Sequence, residues 1–463
     1  MPGKEQALKE KGMEILRASL KASDPKTAIL SKLKVQDELL YPYGDMVFKV
    51  SNPEDLETFS RDDYEFKLRD IERIFVVGFG KASASMARAI EDLLGQRIHR
   101  GIVITKRGYV ENLSRMDLIE ASHPIPDKDG VRGTELIIDL LKDTHEQDLV
   151  ICLISGGGSS LFVAPCQGIT LEEKQKLTDL LLKSGATIQE INAVRKHISL
   201  VKGGRLAHIA YPARILSLIF SDVVGDKLDS IASGPTAPDT TTFSDCMGIL
   251  KKYELLEIIP QSIRTYLNEN IEKTENETPK PGNPVFENVQ NVIIGSNYLA
   301  LKSAEKKANE LGFNTYLLSD SIIGDTTNAA KKHSQMAKRI KEKGEPVSPP
   351  ACFISGGETT VQVKGKGLGG RNQEFALVCA MEIEGMEDTV IMSLNTDGTD
   401  GPTDAAGAFC DGRTIQKAKK LNLDPKKYLE NNDSYHFFEK VGGLIKTGPT
   451  NTNVMDIHII LVG

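Results

Sequence analysis

Gly78-Phe79-Gly80-Lys81-Ala82-Ser83 lies between an apolar run, Ile74 to Val77, and a helical pattern, which places a lysine at the start of a helix. A cation there opposes the helix dipole, so its presence points to an anion bound beside Lys81. Ser155-Gly156-Gly157-Gly158-Ser159-Ser160 follows a second apolar run and is suited to wrapping phosphate or carboxylate oxygens in amide and hydroxyl donors, with Gly80 close by in the same kind of turn. Ser355-Gly356-Gly357-Glu358 reads as a similar turn in the second half. Between Lys364 and Arg371 four glycines precede an arginine at a predicted helix start, where its planar fork suits phosphoryl oxygens and developing charge. Arg195, Lys202 and Arg205 form a basic stretch able to draw an anion into a cleft. Asp222, Asp397 and Asp400, each just after an apolar run, are the candidate ligands for a hard cation such as Mg²⁺. His123, in the rigid Ser122-His123-Pro124-Ile125-Pro126-Asp127 loop, has a structural reading beside that of a base or substrate contact.

Several chemistries are excluded by what the chain lacks. There is no G-x-x-x-x-G-K-[ST] loop, no paired H-R-D and D-F-G, no G-x-S-x-G and no C-x-x-C, so P-loop, protein-kinase, serine-hydrolase and zinc-ribbon sites drop out. The Asn395 to Gly401 cluster is not an EF-hand, because position six of that register is Asp400 rather than glycine. A dinucleotide site is weakened twice: Ser83 stands at the third fingerprint glycine, and Thr105-Lys106-Arg107 stands where a ribose-binding acid belongs.

The elements that must position these residues alternate. IERIFVVGFG, GIVITKRG, DLVICLISGGGSS and ARILSLIF are short β-rich runs separated by helical stretches of the βαβ kind, which predicts an N-terminal Rossmann-like domain on a parallel sheet. The polar, proline-containing stretch from 270 to 288 predicts a boundary, giving an N-terminal domain over 1–278 and a C-terminal α/β domain with a mixed sheet over 284–463. The first 22 residues read as an amphipathic helix packed on a larger body. CLISGGGSSL at 152–161 and CFISGGETTV at 352–361 share five positions, an echo that independent glycine turns explain better than duplication, since nothing else aligns at a consistent offset.

At 463 residues the chain exceeds one ordinary domain, and its longest apolar runs are too short to span a bilayer. With 57 Lys and Arg against 64 Asp and Glu, it is not built to coat nucleic acid or an anionic membrane. The N-terminus has no signal-peptide character, so a cytoplasmic location is expected, with a mitochondrial form left open.

Taken in order, GFGKAS, SHPIPD, LISGGGSSL, VRKHISLVKGGRLA, SDVVGDKLDSIASGPTAPD, SGGETTVQVKGKGLGGRNQEFAL, NTDGTDGPTDAAGA and TGPTNTNVMDIHIILV resemble the class II glycerate kinases, the glycerate 2-kinases whose C-terminal part is the MOFRL domain. The resemblance covers the chain from Ile74 to Val462 and departs from the family at Lys227 and Leu228. It implies ATP- and Mg²⁺-dependent transfer of a phosphoryl group to the 2-hydroxyl of D-glycerate, in a cleft between two α/β domains, with Lys81 and Arg371 as catalytic residues. A homodimer is compatible with it. Two other readings stay open at this stage: an NAD(P)H-dependent hydroxypyruvate reductase, and a non-catalytic regulator that binds a sugar acid or nucleotide.

Overall fold

The computed structural model describes residues 4–38, 45–50, 64–450 and 452–463. It divides into two compact units: an N-terminal unit, Ala28–Ile294, and a C-terminal unit made of Met1–Thr27 with Gly295–Gly463.

In the N-terminal unit a small antiparallel sheet, β1 (Leu33–Glu38), β2 (Asp45–Val50) and β3 (Tyr64–Lys67), precedes the main one. The main sheet contains β4 (Ile74–Phe79), β5 (Ile98–Lys106), β6 (Met116–Ala121), β7 (Leu149–Ser155), β8 (Arg214–Phe220) and β9 (Val289–Gly295) in the order β6-β5-β4-β7-β8-β9. The pairs β4–β5, β5–β6, β4–β7 and β7–β8 are all parallel, as the alternating runs predict. β4 and β7 are buried along their whole length because helices cover the sheet, which is why they read as continuous apolar runs. The chain winds outward from β4 to β6 and then returns to β7 on the other side of β4. That reversal is a topological switch point, where open α/β sheets bind ligands at their strand ends. Beside the sheet, helices Leu171–Lys183, Ile188–His197, Phe243–Lys252 and Gln261–Asn270 bury a second apolar cluster that includes Leu177, Leu181, Val194 and Phe243.

In the C-terminal unit the sheet is mixed. β10 (Asn314–Asp325), β11 (Ala351–Thr360), β12 (Thr389–Asn395), β13 (Gly407–Asp411), β14 (Leu444–Ile445) and β15 (Asp456–Val462) run in the order β10-β11-β15-β12-β13-β14. β10 and β11 are parallel, and every other pair is antiparallel.

The division differs from the expected one in two places. Residues 289–295 form β9 in the N-terminal sheet, so the unit does not end at 278. The polar stretch before β9 is anchored: Glu277 accepts the Phe243 amide at 2.8 Å and pairs with His197 at 3.0 Å, and the Thr278 hydroxyl donates to Asp239 at 3.0 Å. Its composition marked an irregular path, not an independent linker. Second, the N-terminal helix Lys4–Ala22 belongs to the C-terminal unit, where Gly12 lets it approach Met392 of β12 and Lys9 pairs with Asp411 at 2.6 Å.

Candidate active site

At the switch point two glycine turns are fused into one. A Cβ on Gly80, whose φ is +130°, would lie 2.2 Å from the Ser155 hydroxyl oxygen, so only glycine lets the ends of β4 and β7 close on each other. The Ala82 amide donates to the Ser155 hydroxyl at 3.0 Å and the Lys81 amide to the Gly156 carbonyl at 2.8 Å. Ser83 donates to the carbonyls of Gly80 and Ile104 at 2.7 and 2.9 Å. The amides that would hold a dinucleotide pyrophosphate are therefore occupied, and Gly80 and Ser155 act as scaffold rather than as an open anion cradle.

That scaffold gathers side chains. Positions for a Cβ on Gly157 lie 2.8 Å from the His123 ring and 3.3 Å from Lys81 Cγ, while one on Gly156 would lie 2.2 Å from the Asp222 carboxylate. Lys81, His123 and Asp222 thus converge on the Gly156–Gly157 backbone, and among the described residues Lys81 has no carboxylate partner. Burial first, and then the charges of Lys81 and Lys106, lower His123 to about 4, so its imidazole is neutral near pH 7. Ser159 shares a 2.9 Å hydrogen bond with Ser233, and Gly158 packs against Phe79 and Ala232.

A cavity of about 650 Å³ is lined by His123, Gly157 and Ser159 together with Lys174, Arg195 and Lys202. Lys202 is fully buried and donates to the Ala232 carbonyl at 3.2 Å; Lys174 is also buried and donates to the Ile198 carbonyl at 3.3 Å. Burial, reinforced by Lys174 and Arg195, pulls Lys202 well below the usual lysine range, and burial takes Lys174 down to about 8. None of the three has a carboxylate ion-pair partner among the described residues. Arg205 is not part of this group, because its guanidinium donates to the Asn276 carbonyl at 2.6 Å and it does not line the cavity. Lys174 lies outside every motif of the sequence. Its signal was a lysine on the stripe spacing of Leu177 and Leu181, the buried face of its helix.

The C-terminal unit carries the other candidates. Arg371 opens the helix Arg371–Glu382 and grips Asp456 through Nε at 2.6 Å and Nη2 at 3.0 Å, while Nη1 donates to Glu358 at 2.7 Å. Burial works against its charge, but Asp456 and Glu358 overcome this and hold the guanidinium protonated above its ordinary range. Asp456, fully buried at the start of β15, was missed because one acid leading into an apolar strand carries no motif. Beside Arg371 lies a cavity of about 450 Å³ lined by Gly369, Gly370 and Asn395. The amides of Lys364, Gly365, Lys366 and Leu368 are taken by Asn431, Asn432 and Asp433 side chains, whereas those of Gly369 and Gly370 donate to no described residue.

Two expectations in this unit need correction. Ser355, Gly356 and Gly357 are inside β11, opposite His458, Ile457 and Asp456 of β15, and form no turn. Their glycines serve close packing, since a Cβ on Gly356 would lie 2.1 Å from Asn297 Oδ1 and one on Gly357 2.2 Å from the Ile322 carbonyl. The echo with 155–157 is therefore one of sequence, not of local structure. Asp400 is buried and caps the Arg371 helix, accepting the Asn372 and Gln373 amides at 3.1 and 2.8 Å, so its oxygens are committed to that helix rather than to a metal. Asp397 is half-buried and binds Thr399 through Oδ1 alone, which leaves Oδ2 for a ligand.

No group of three or more His, Cys, Asp or Glu among the described residues is arranged to hold a metal. Mg²⁺ that arrives on phosphate oxygens needs only one or two protein carboxylates, a demand that a carboxylate with one uncommitted oxygen, such as Asp397, is chemically able to meet.

Residues 12–268 match a family described as a domain of unknown function, DUF4147, and residues 351–456 match the MOFRL family. A glycerate 2-kinase of Pyrococcus horikoshii is 42% identical over 98% of this chain and 97% of its own. The chain belongs to the MOFRL-family glycerate 2-kinases. A crystal structure of a glycerate kinase from Thermotoga maritima, 40% identical, matches with a TM-score of 0.86 over 99% of this chain and 100% of that one. A relative from Agrobacterium vitis, 40% identical over 84% of this chain and 87% of its own, is named a putative hydroxypyruvate reductase. The glycerate 2-kinase fold here argues against nicotinamide chemistry: besides the occupied turn amides, Arg107 at the end of β5 is spent on Asp127 and Asp129 at 2.6 Å each.

Proposed function

We infer that the protein transfers the γ-phosphoryl group of ATP to the 2-hydroxyl of D-glycerate, giving 2-phospho-D-glycerate and ADP. The observation that carries this reading is a pair of cation-bearing sites, each beside a glycine-rich backbone: Lys81 at the switch point, without a carboxylate partner among the described residues, and Arg371 fixed by Asp456 beside the Gly369 and Gly370 amides.

Phosphoryl transfer through a loose transition state asks little covalent chemistry of the protein and much positioning and charge stabilisation. Arg371, locked in one orientation, offers its guanidinium to the equatorial oxygens of the transferring group, and the Gly369 and Gly370 amides add donors of fixed direction. Lys81 balances the negative charge of phosphoryl or carboxylate at the switch-point turn. Asp222 or Asp397 would hold Mg²⁺ arriving with the phosphates, and the ion, when bound, would neutralise phosphate charge. The reaction uses a free acid and ATP, which suits a cytoplasmic protein; no helix among the described residues is long and apolar enough to cross a membrane.

Cofactor identity tests this reading. ATP with Mg²⁺ should raise the melting temperature, because a ligand that binds only the folded state stabilises it by mass action. NADPH should not. Stabilisation by NADPH but not by ATP would return the chain to the reductase reading.

A further inference from the structure

We propose that Lys174, Arg195 and Lys202 form the subsite for the carboxylate of the acceptor acid, and that Lys174 selects ionised acids over neutral polyols. This rests on the kinase reading and extends it to one end of one substrate.

Lys174, Lys202 and Arg195 line one cavity; the acids that also line it, Glu172 and Asp179, are exposed and pair with none of the three, and among the described residues the lysines have only the Ile198 and Ala232 carbonyls as acceptors. Each ammonium has three donors, so most of their hydrogen-bonding capacity has no acceptor among the described residues. Cations gathered out of water without counter-charge are costly, and the mutual repulsion is visible in the lowering of Lys202 by Lys174 and Arg195 after burial itself. The nearby hydroxyls do not compensate. Ser160 donates to the Gly157 carbonyl at 3.1 Å, and Ser159 is shared with Ser233. An anion would supply the counter-charge that these side chains do not find in the protein.

A small carboxylate fits better than a triphosphate. Lys202 is fully buried and Lys174 nearly so, surroundings in which a compact anion sheds its water more readily than a metal-bound polyphosphate. The remaining wall includes Pro124, Ile125 and Val163, an apolar face suited to a short carbon chain. Lys174 and Arg195 project from two helices whose apolar faces meet in the same cluster, so the donors are held by packing rather than by a mobile loop.

The full-length enzyme, Lys174→Met and Arg195→Gln provide the test. Lys174→Met keeps the apolar stem, and it should hold or raise the ligand-free melting temperature because a repelling buried charge is gone. Either variant should raise KM for D-glycerate by roughly tenfold or more while KM for ATP changes by less than about twofold. For the wild type, KM for D-glycerate should climb above pH 8 as Lys174 loses its proton, and this climb should be absent in Lys174→Met. Calorimetry without nucleotide separates this proposal from the kinase reading: the wild type should bind D-glycerate and not its neutral amide, and Lys174→Met or Arg195→Gln should lose the difference. Equal binding of acid and amide by the wild type overturns the subsite even in an active kinase. A selective rise in KM for ATP overturns it in favour of a nucleotide-phosphate site, and unchanged KM values in both variants reduce the cluster to a structural one.

Discussion

Arg371 is aimed before any substrate arrives. Its two bonds to the fully buried Asp456 take Nε and Nη2, and Nη1 donates to Glu358, so the side chain has one orientation where it lines the cavity. Asp456→Asn keeps the shape but weakens the grip, and kcat should fall by about tenfold or more with KM for ATP little changed, a split that initial-rate kinetics resolve. His123 gives a pH prediction. Its value is lowered in the folded state by burial first and then by Lys81, so the unfolded chain binds the proton more readily between about 4 and 6.5. Its contribution to stability is complete above about pH 6.5 and is lost as pH falls through 4. Melting curves of the wild type and His123→Gln over that window should converge at low pH; parallel curves would show that His123 does not titrate in this way.

At the scale of elements, the fold depends on two glycine-rich strand ends that only glycine allows to touch. Gly80→Ala puts a methyl group 2.2 Å from the Ser155 oxygen at a positive φ, and should cost about 3 kcal/mol or more in urea unfolding. This is also where sequence reasoning succeeded and failed for identifiable reasons. The parallel strands were readable because both faces of β4 and β7 are covered, which leaves unbroken apolar runs. The glycine turn at 155–158 was readable because a helix follows it at once. The matching SGG at 355–357 misled, because glycine for close packing within a sheet and glycine for a turn look alike in one dimension. Lys174 and Asp456 were hidden for the opposite reason: each is a single charge on an apolar stripe or strand, and only tertiary structure shows what it faces. Asp400 was seen as an acid near glycines, but its role as a helix cap depends on a segment some 28 positions away.

For the whole molecule, the N-terminal helix is the clearest departure from chain order. Leu8, Ile15 and Leu16 are buried on it, and its Ala18 carbonyl accepts the Ser303 hydroxyl at 3.1 Å within the C-terminal unit. At roughly 1.5 to 3 kcal/mol for each buried aliphatic side chain, removal of residues 4–22 should loosen that unit severely. Hydrogen exchange should then rise along 297–310 and β12 while β7 keeps its protection; uniform loss across both units would contradict the division drawn here. The central claim is chemical, and one assay reaches it most directly: ATP, Mg²⁺ and D-glycerate with the wild type, Lys81→Ala and Arg371→Ala, separating 2-phosphoglycerate from 3-phosphoglycerate. The account predicts 2-phosphoglycerate from the wild type and a loss of about 100-fold or more in kcat for each folded variant. Hydroxypyruvate-dependent oxidation of NAD(P)H with no phosphoglycerate formed would contradict it.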